Sequence, residues 1–155
     1  YKVRNSSVAW LSEPWIMREV LPYITLANKE ANWNFDIHLT EQCQFTKYSE
    51  TQHYTWHMDS FSAPSNRTRS EFFGTVRKLS ATISLVDGDT YEGGDLEFDL
   101  RNQDPERARN TKLCTEILPK GSIVVFPSFV WHRVTPVTSG TRYSMVMWNL
   151  GAPWR

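Results

Sequence analysis

Four residues of this 155-residue chain have types and spacings that could do chemistry together: His57 and Asp59, two positions apart, His132 far downstream, and Arg142 ten residues beyond it. Two imidazoles and one carboxylate compose a facial triad, which holds a non-haem Fe(II) by three ligands on one face and keeps the other positions open. A guanidinium presents a planar fork of donors matched to a carboxylate. Arg142 could therefore grip a small dicarboxylate lying across the ion. Each part alone is weak. A His and an Asp two apart occur by chance in many proteins, and His132, beside Trp131 and after Val124-Val125-Phe126, reads equally as a satisfied core histidine. The joint pattern favours a metal centre.

The elements that must position these groups read as strands. Side chains alternate faces along a strand, so His57 and Asp59 are expected on one side of one strand. Between His132 and Arg142 the segment Arg133 to Thr141 predicts two short strands joined by a turn near Pro136 to Gly140. A hairpin about Val137 would set His132 directly opposite Arg142. Arg142, Ser144, Val146 and Trp148 then share a face, with Tyr143, Met145 and Met147 on the other. The same alternation separates Gln44, Thr46 and Tyr48 from Cys43, Phe45 and Lys47, and Ser80, Thr82 and Ser84 from Leu79, Ala81, Ile83 and Leu85. One small, polar face and one apolar face suit a barrel with an active-site lumen, and equally a half-exposed sheet.

Many short strands with turn signals at Asp87-Gly88-Asp89 and Glu92-Gly93-Gly94 predict a mainly β, double-sheet jelly roll over residues 32–155. Residues 1–31 read as helical support. Ser12-Glu13-Pro14 predicts a helix start, followed by a stripe of Trp15, Ile16, Val20, Ile24 and Ala27. Pro22 should kink that helix or divide it. Residues 60–74, next to the first two ligands and carrying Pro64, Arg67, Arg69, Phe72 and Phe73, read as a lid or as a plain surface loop. Arg101 to Lys112 reads as a charged, solvated excursion.

Length fits a single domain able to bury a core. Seven Trp and 14% aromatic residues argue against disorder. With 17 basic and 17 acidic residues no global field draws the chain to nucleic acid or an anionic membrane, and neither is expected as a partner. No run of 18 apolar residues predicts a spanning helix. Cys43 and Cys114 lack zinc-knuckle spacing and form no disulfide framework, so free thiols in a reducing, cytoplasmic setting are expected. Oligomeric state is not legible.

Five stretches in order resemble a known family: Tyr48-Ser-Glu-Thr-Gln-His-Tyr54-Thr-Trp-His57-Met-Asp59, Arg77-Lys-Leu-Ser80-Ala-Thr-Ile-Ser-Leu85, Tyr91-Glu-Gly-Gly-Asp-Leu96, Gly121-Ser-Ile-Val-Val-Phe-Pro127 and His132-Arg-Val-Thr-Pro-Val137. From about Asn32 to Leu150 the chain resembles the Fe(II)- and 2-oxoglutarate-dependent dioxygenases, and most closely their prolyl-4-hydroxylase-like branch. The resemblance implies a double-stranded β-helix of the cupin type, with Fe(II), 2-oxoglutarate and O2 as requirements and ascorbate as an optional reductant. It implies His57, Asp59 and His132 as iron ligands, and Arg142 as the group binding the far carboxylate of 2-oxoglutarate. Tyr48 would hydrogen-bond the same co-substrate, Ser80 would line its pocket and Trp148 would wall it. Tyr54 would sit near a peptide substrate.

The implied activity couples decarboxylation of 2-oxoglutarate to succinate with hydroxylation of a C–H bond, the expected substrate being a prolyl residue in a peptide or protein. An intact Asp59 favours hydroxylation over halogenation, which needs that coordination position vacant. Leu150 stands where some peptidyl-prolyl members carry His, which leaves a free amino acid or another small molecule as alternatives. Trp148 stands where nucleic-acid demethylases of the superfamily carry a second Arg. A zinc hydrolase could use the same triad but not the opposed Arg. A non-enzymatic jelly-roll binding module of the cupin or lectin kind is the rival from another class.

Overall fold

A computed structural model describes residues 3–60, 63–66, 70–100 and 111–154. In chain order the elements are β1 (Arg4–Asn5), β2 (Ser7–Leu11), α1 (Pro14–Glu30), β3 (Leu39–Thr40), β4 (Cys43–Tyr48), β5 (His53–His57), β6 (Val76–Ser84), β7 (Tyr91–Gly93), β8 (Leu96–Asp99), β9 (Thr111–Leu113), β10 (Ile123–Pro127), β11 (Trp131–Val134), β12 (Val137–Gly140) and β13 (Arg142–Gly151). They form two facing antiparallel sheets. The smaller is ordered β1-β5-β11-β8-β9 and the larger β10-β6-β13-β4-β2, with β3 also on β13. β12 and β7 pair separately at one corner. The jelly roll is the architecture expected from the turn spacing.

Alternation along the long central strands decides which layer each side chain enters. Leu79, Ala81, Ile83, Met147 and Cys43 face outward from the large sheet and bury against Ile16, Val20 and Ile24 of α1. The opposite set turns its polar side chains toward the small sheet. A second apolar cluster, Leu96, Phe98, Cys114, Ile117 and Phe126, closes the other end of the sandwich.

Three local expectations are sharpened. α1 starts at Pro14 as expected and is one helix running through Pro22 rather than two, with Glu13 at the N-cap position and no side-chain cap bond. Pro22 removes one backbone bond, but the buried stripe of Ile16, Val20 and Ile24 brackets it and holds the axis on the sheet. Before the helix, residues 4–11 are strands that reach both sheets, so the first 31 residues are not helical support alone. Most of the 101–112 excursion lies outside the described residues, as do Arg67 and Arg69 of the 60–74 loop, while Thr111 and Lys112 join β9.

The largest correction concerns the expected hairpin. β11 and β13 lie in different sheets, so His132 does not face Arg142 across a ladder. The chain detours instead: the Val137 N–H donates to Gln52 O, the Thr51 N–H donates to Val137 O, and β12 pairs with β7. Val137 is buried at 1% exposure, which anchors the detour. The partner of His132 is His57, and the partner of Arg142 is Tyr48.

Candidate metal centre

His57 ends β5, and His132 lies opposite it on β11. The β5–β11 register slips between His132 and Val134, so that Val134 pairs with Tyr54 and β5 carries one extra residue. Such a bulge re-aims side chains beside a site. Tyr54 and His57, three apart, would face opposite sides of a regular strand. Here their rings stack, with centroids 3.5 Å apart and planes 11° apart.

Asp59 reaches the two histidines by a different route from the one expected. The strand stops at His57, and the N–H groups of Asp59 and Ser60 both donate to the Ser128 carbonyl at 2.9 Å. That clamp turns the carboxylate inward. The Ser80 hydroxyl donates to Asp59 Oδ2 at 2.7 Å and sits 2.9 Å from the Ser128 hydroxyl. Asp59 Oδ1 lies 3.5 Å from His57 Nε2, and Oδ2 lies 3.6 Å from His132 Nε2. The potential ligand atoms of all three residues fall within 4.8 Å of one another.

The second nitrogens of both imidazoles settle which atoms are free. His57 Nδ1 is 2.7 Å from Thr55 O, and His132 Nδ1 is 2.9 Å from Val130 O. A carbonyl only accepts, so each Nδ1 carries its proton and each Nε2 presents a lone pair to the centre. Burial pushes the His132 pKa down to about 4 despite Asp59 nearby, which favours the neutral, ligating form. Burial alone would raise the Asp59 pKa; protonated His132 and His57 together with the Ser80 hydroxyl would outweigh it and hold the carboxyl below its usual range. With both imidazoles neutral, the Ser80 donor is what remains until a cation binds. Two lone-pair nitrogens and one carboxylate, buried together, fit a divalent ion of the iron type.

Facing them from the large sheet is Arg142, 3% exposed. Its guanidinium makes one hydrogen bond among the described residues, to Ser144 Oγ at 3.3 Å, and lies 5.5 Å from the Tyr48 ring centroid. No carboxylate of the described residues pairs with it. A buried guanidinium with most of its donors unused is costly unless an anion arrives. Trp148, on the wall of the same cavity, has a buried indole N–H with no hydrogen-bond partner among the described residues. These unused donors are what a dicarboxylate co-substrate would satisfy. One enclosed cavity brings together His57, Asp59 and His132 with Tyr48, Tyr54, Arg142 and Trp148.

Ser80 is placed elsewhere. It is fully buried behind Asp59 and is not on the cavity wall, where Thr82 and Ser144 supply the hydroxyls instead. Burial raises the Tyr48 pKa, so its phenol stays protonated and able to donate. Ser128, Thr82, Ser144 and Arg4 were not singled out from the sequence. Thr82 and Ser144 carried a signal in their alternation. Ser128 and Arg4 carried none, because their contacts to Asp59 and Tyr54 span long separations along the chain.

Comparison with known proteins agrees with this geometry. Residues 43–149 match the family model described as the 2OG-Fe(II) oxygenase superfamily. A PKHD-type hydroxylase of Shewanella sp. (strain ANA-3) is 39% identical over 105 residues, 67% of this chain and 40% of that protein. Another from Synechococcus sp. (strain CC9605) is 36% identical over 103 residues, 66% of this chain and 39% of that protein. The chain thus spans about 40% of the length of the curated relatives it matches. Among solved structures, the viral collagen prolyl hydroxylase of Paramecium Bursaria Chlorella virus-1, as its 2OG complex, superposes with TM-score 0.66 at 17% identity, covering 97% of this chain and 81% of that one. A Pseudomonas putida prolyl-4-hydroxylase does so with TM-score 0.66 at 20% identity, covering 95% and 72%. The structural likeness shows the fold, and the family model matched over residues 43–149 shows that the chain belongs to the 2OG-Fe(II) oxygenase superfamily.

Proposed function

We propose that the chain is an Fe(II)- and 2-oxoglutarate-dependent hydroxylase domain whose substrate is a prolyl residue of a peptide or protein. The observation that carries this reading is the buried, carboxylate-free Arg142 facing a His-Asp-His cluster across one cavity. In this reading His57, Asp59 and His132 hold the iron. Arg142, with Tyr48 beside it, takes the far carboxylate of 2-oxoglutarate. Iron held there would allow O2 to be reduced at the expense of 2-oxoglutarate, one oxygen atom entering the substrate C–H bond as hydroxyl and the other entering succinate, with CO2 released.

The chain's own residues do the rest. Ser80 and the Ser128 carbonyl orient the Asp59 carboxylate, and the Thr55 and Val130 carbonyls hold the imidazole tautomers. Trp148 and Val146 wall off water on one side and Phe126, Leu96 and Val134 on the other. An open groove beyond Tyr54 and Trp148, lined by Trp10, Glu41, Gln44 and Phe72, is where a peptide would lie. The prolyl assignment draws its support from the relatives named prolyl hydroxylases. The free, buried thiols of Cys43 and Cys114 accord with a reducing compartment such as the cytoplasm. Among the described residues no helix is long and apolar enough to cross a membrane.

The test has two parts. Under nitrogen, Fe(II) with 2-oxoglutarate should give a visible charge-transfer band, and a jelly-roll binding module should give none. In air, proline-rich and collagen-like peptides should gain one oxygen by mass spectrometry, with equal succinate formed.

A further inference from the structure

Arg4 enters the site from β1, where it pairs with Tyr54. Its guanidinium carbon lies 4.9 Å from the Tyr54 ring centroid, and Tyr54 in turn stacks on His57. The cation is therefore separated from a ligand imidazole by a single aromatic ring. It lines both the enclosed cavity and the open groove outside it.

The partners of Arg4 are all neutral. Nε donates to Ser6 Oγ at 2.8 Å, while the two terminal nitrogens reach Gln44 Oε1 at 3.3 Å and Thr46 Oγ1 at 3.5 Å. Those last two distances lie at or beyond the long end of N–H···O bonding. No carboxylate of the described residues forms an ion pair with it. Arg77, in the same groove, differs: it is ion-paired to Glu41 at 2.6 Å and lies 3.9 Å over the Trp148 ring. Among the described residues lining the groove, Arg77 is ion-paired to Glu41, whereas Arg4 makes no ion pair with Glu41 or with Glu71, the other acidic side chain on its outer wall.

Charge balance sharpens the point. With a divalent iron and 2-oxoglutarate in place, the ion and Arg142 are neutralised by Asp59 and the two co-substrate carboxylates. Arg4 is left over. A half-buried guanidinium without a counter-ion is poised to bind an anion through two loosely held donors.

We infer that Arg4 recognises a carboxylate on the substrate, an acidic side chain or a chain-terminal carboxylate within a residue or two of the carbon that reacts. The inference rests on the hydroxylase reading for where that carbon lies. Arg4 then selects among prolyl sequences, which the metal ligands cannot do.

The experiment measures binding of short peptides to the protein loaded with Mn(II) and 2-oxoglutarate under nitrogen, by calorimetry. The probes are acetyl-Ala-Ala-Pro-Asp-Ala-Ala-amide, its Asn counterpart, and acetyl-Ala-Ala-Pro-Ala as free acid and as amide. Expected for the unaltered protein is at least tenfold tighter binding of one or both acids than of their neutral partners. The Asp/Asn and acid/amide pairs separate the two carboxylate sources. Arg4→Met, which keeps the apolar stem, should erase that preference while leaving the neutral peptides within about twofold. Arg4→Lys should retain part of it. Equal binding of acid and neutral probes by the unaltered protein overturns the inference, as does an equal loss for all four peptides in Arg4→Met. Acid preference dependent on Arg4, found in a protein that makes no succinate in air, would retire the hydroxylase reading and leave the role of Arg4 standing.

Discussion

Replacing Ser80 by Ala tests how the carboxylate ligand is held. Ser80 donates a 2.7 Å hydrogen bond to Asp59 Oδ2 and is itself fully buried, so water cannot take its place. Its only proton goes to Asp59, so the neighbouring Ser128 hydroxyl at 2.9 Å must donate to Ser80. Alanine removes both bonds. A hydrogen bond to a charged group contributes about 1.5–3 kcal/mol, equivalent to roughly 10- to 100-fold in metal affinity, the range seen when outer partners of metal ligands are lost. Titrating Mn(II) into the variant, followed by calorimetry, should show that weakening. The Michaelis constant for 2-oxoglutarate at saturating metal should change little. A metal affinity within twofold of the unaltered protein, with a raised constant for 2-oxoglutarate, would refute this reasoning and restore Ser80 to the co-substrate pocket.

Four further outcomes follow. His57→Ala and Asp59→Ala should each abolish succinate formation while circular dichroism shows the sheets intact, since both residues close the cavity rather than the α1 core. Arg142→Ala should raise the Michaelis constant for 2-oxoglutarate by a factor of roughly 150 to 5,000, because breaking a buried charged pair costs about 3–5 kcal/mol. In the absence of co-substrate, Arg142→Met should melt at a higher temperature than the unaltered protein, since it removes a buried cation that has no carboxylate partner. An unchanged or lower melting temperature would argue that the site holds an anion already. Burial pushes the Cys43 thiol up to about 11, so its protonated form stabilises the fold fully below pH 9, and that contribution fades as pH rises through 11. Denaturant titrations across this window should lose up to ~3 kcal/mol, and Cys43→Ala should remove that part of the slope.

The sequence by itself determined the types of chemical group and the layer each one enters. Period-two alternation needs no tertiary information: once residues 79–85 are a strand, Thr82 and Ser84 must share one face and Leu79, Ala81 and Ile83 the other, and once residues 142–148 are a strand, Arg142, Ser144 and Trp148 separate from Met147 in the same way. The residue types of His57, Asp59 and His132 likewise carried their own coordination chemistry. Which strands neighbour one another was decided only in three dimensions. The segment from His132 to Arg142 satisfies the local rules of a hairpin, yet burial of Val137 and the pairing of β12 with β7 separate β11 from β13 into opposite sheets. The same holds for Ser80, whose alternation is compatible with either a cavity wall or a support behind Asp59. The choice came from where the chain ends β5 and folds Asp59 back onto Ser128. Alternation is a property of one strand, whereas pairing order is a competition among all strands for buried hydrogen bonds and apolar area. That competition is settled only by the whole chain.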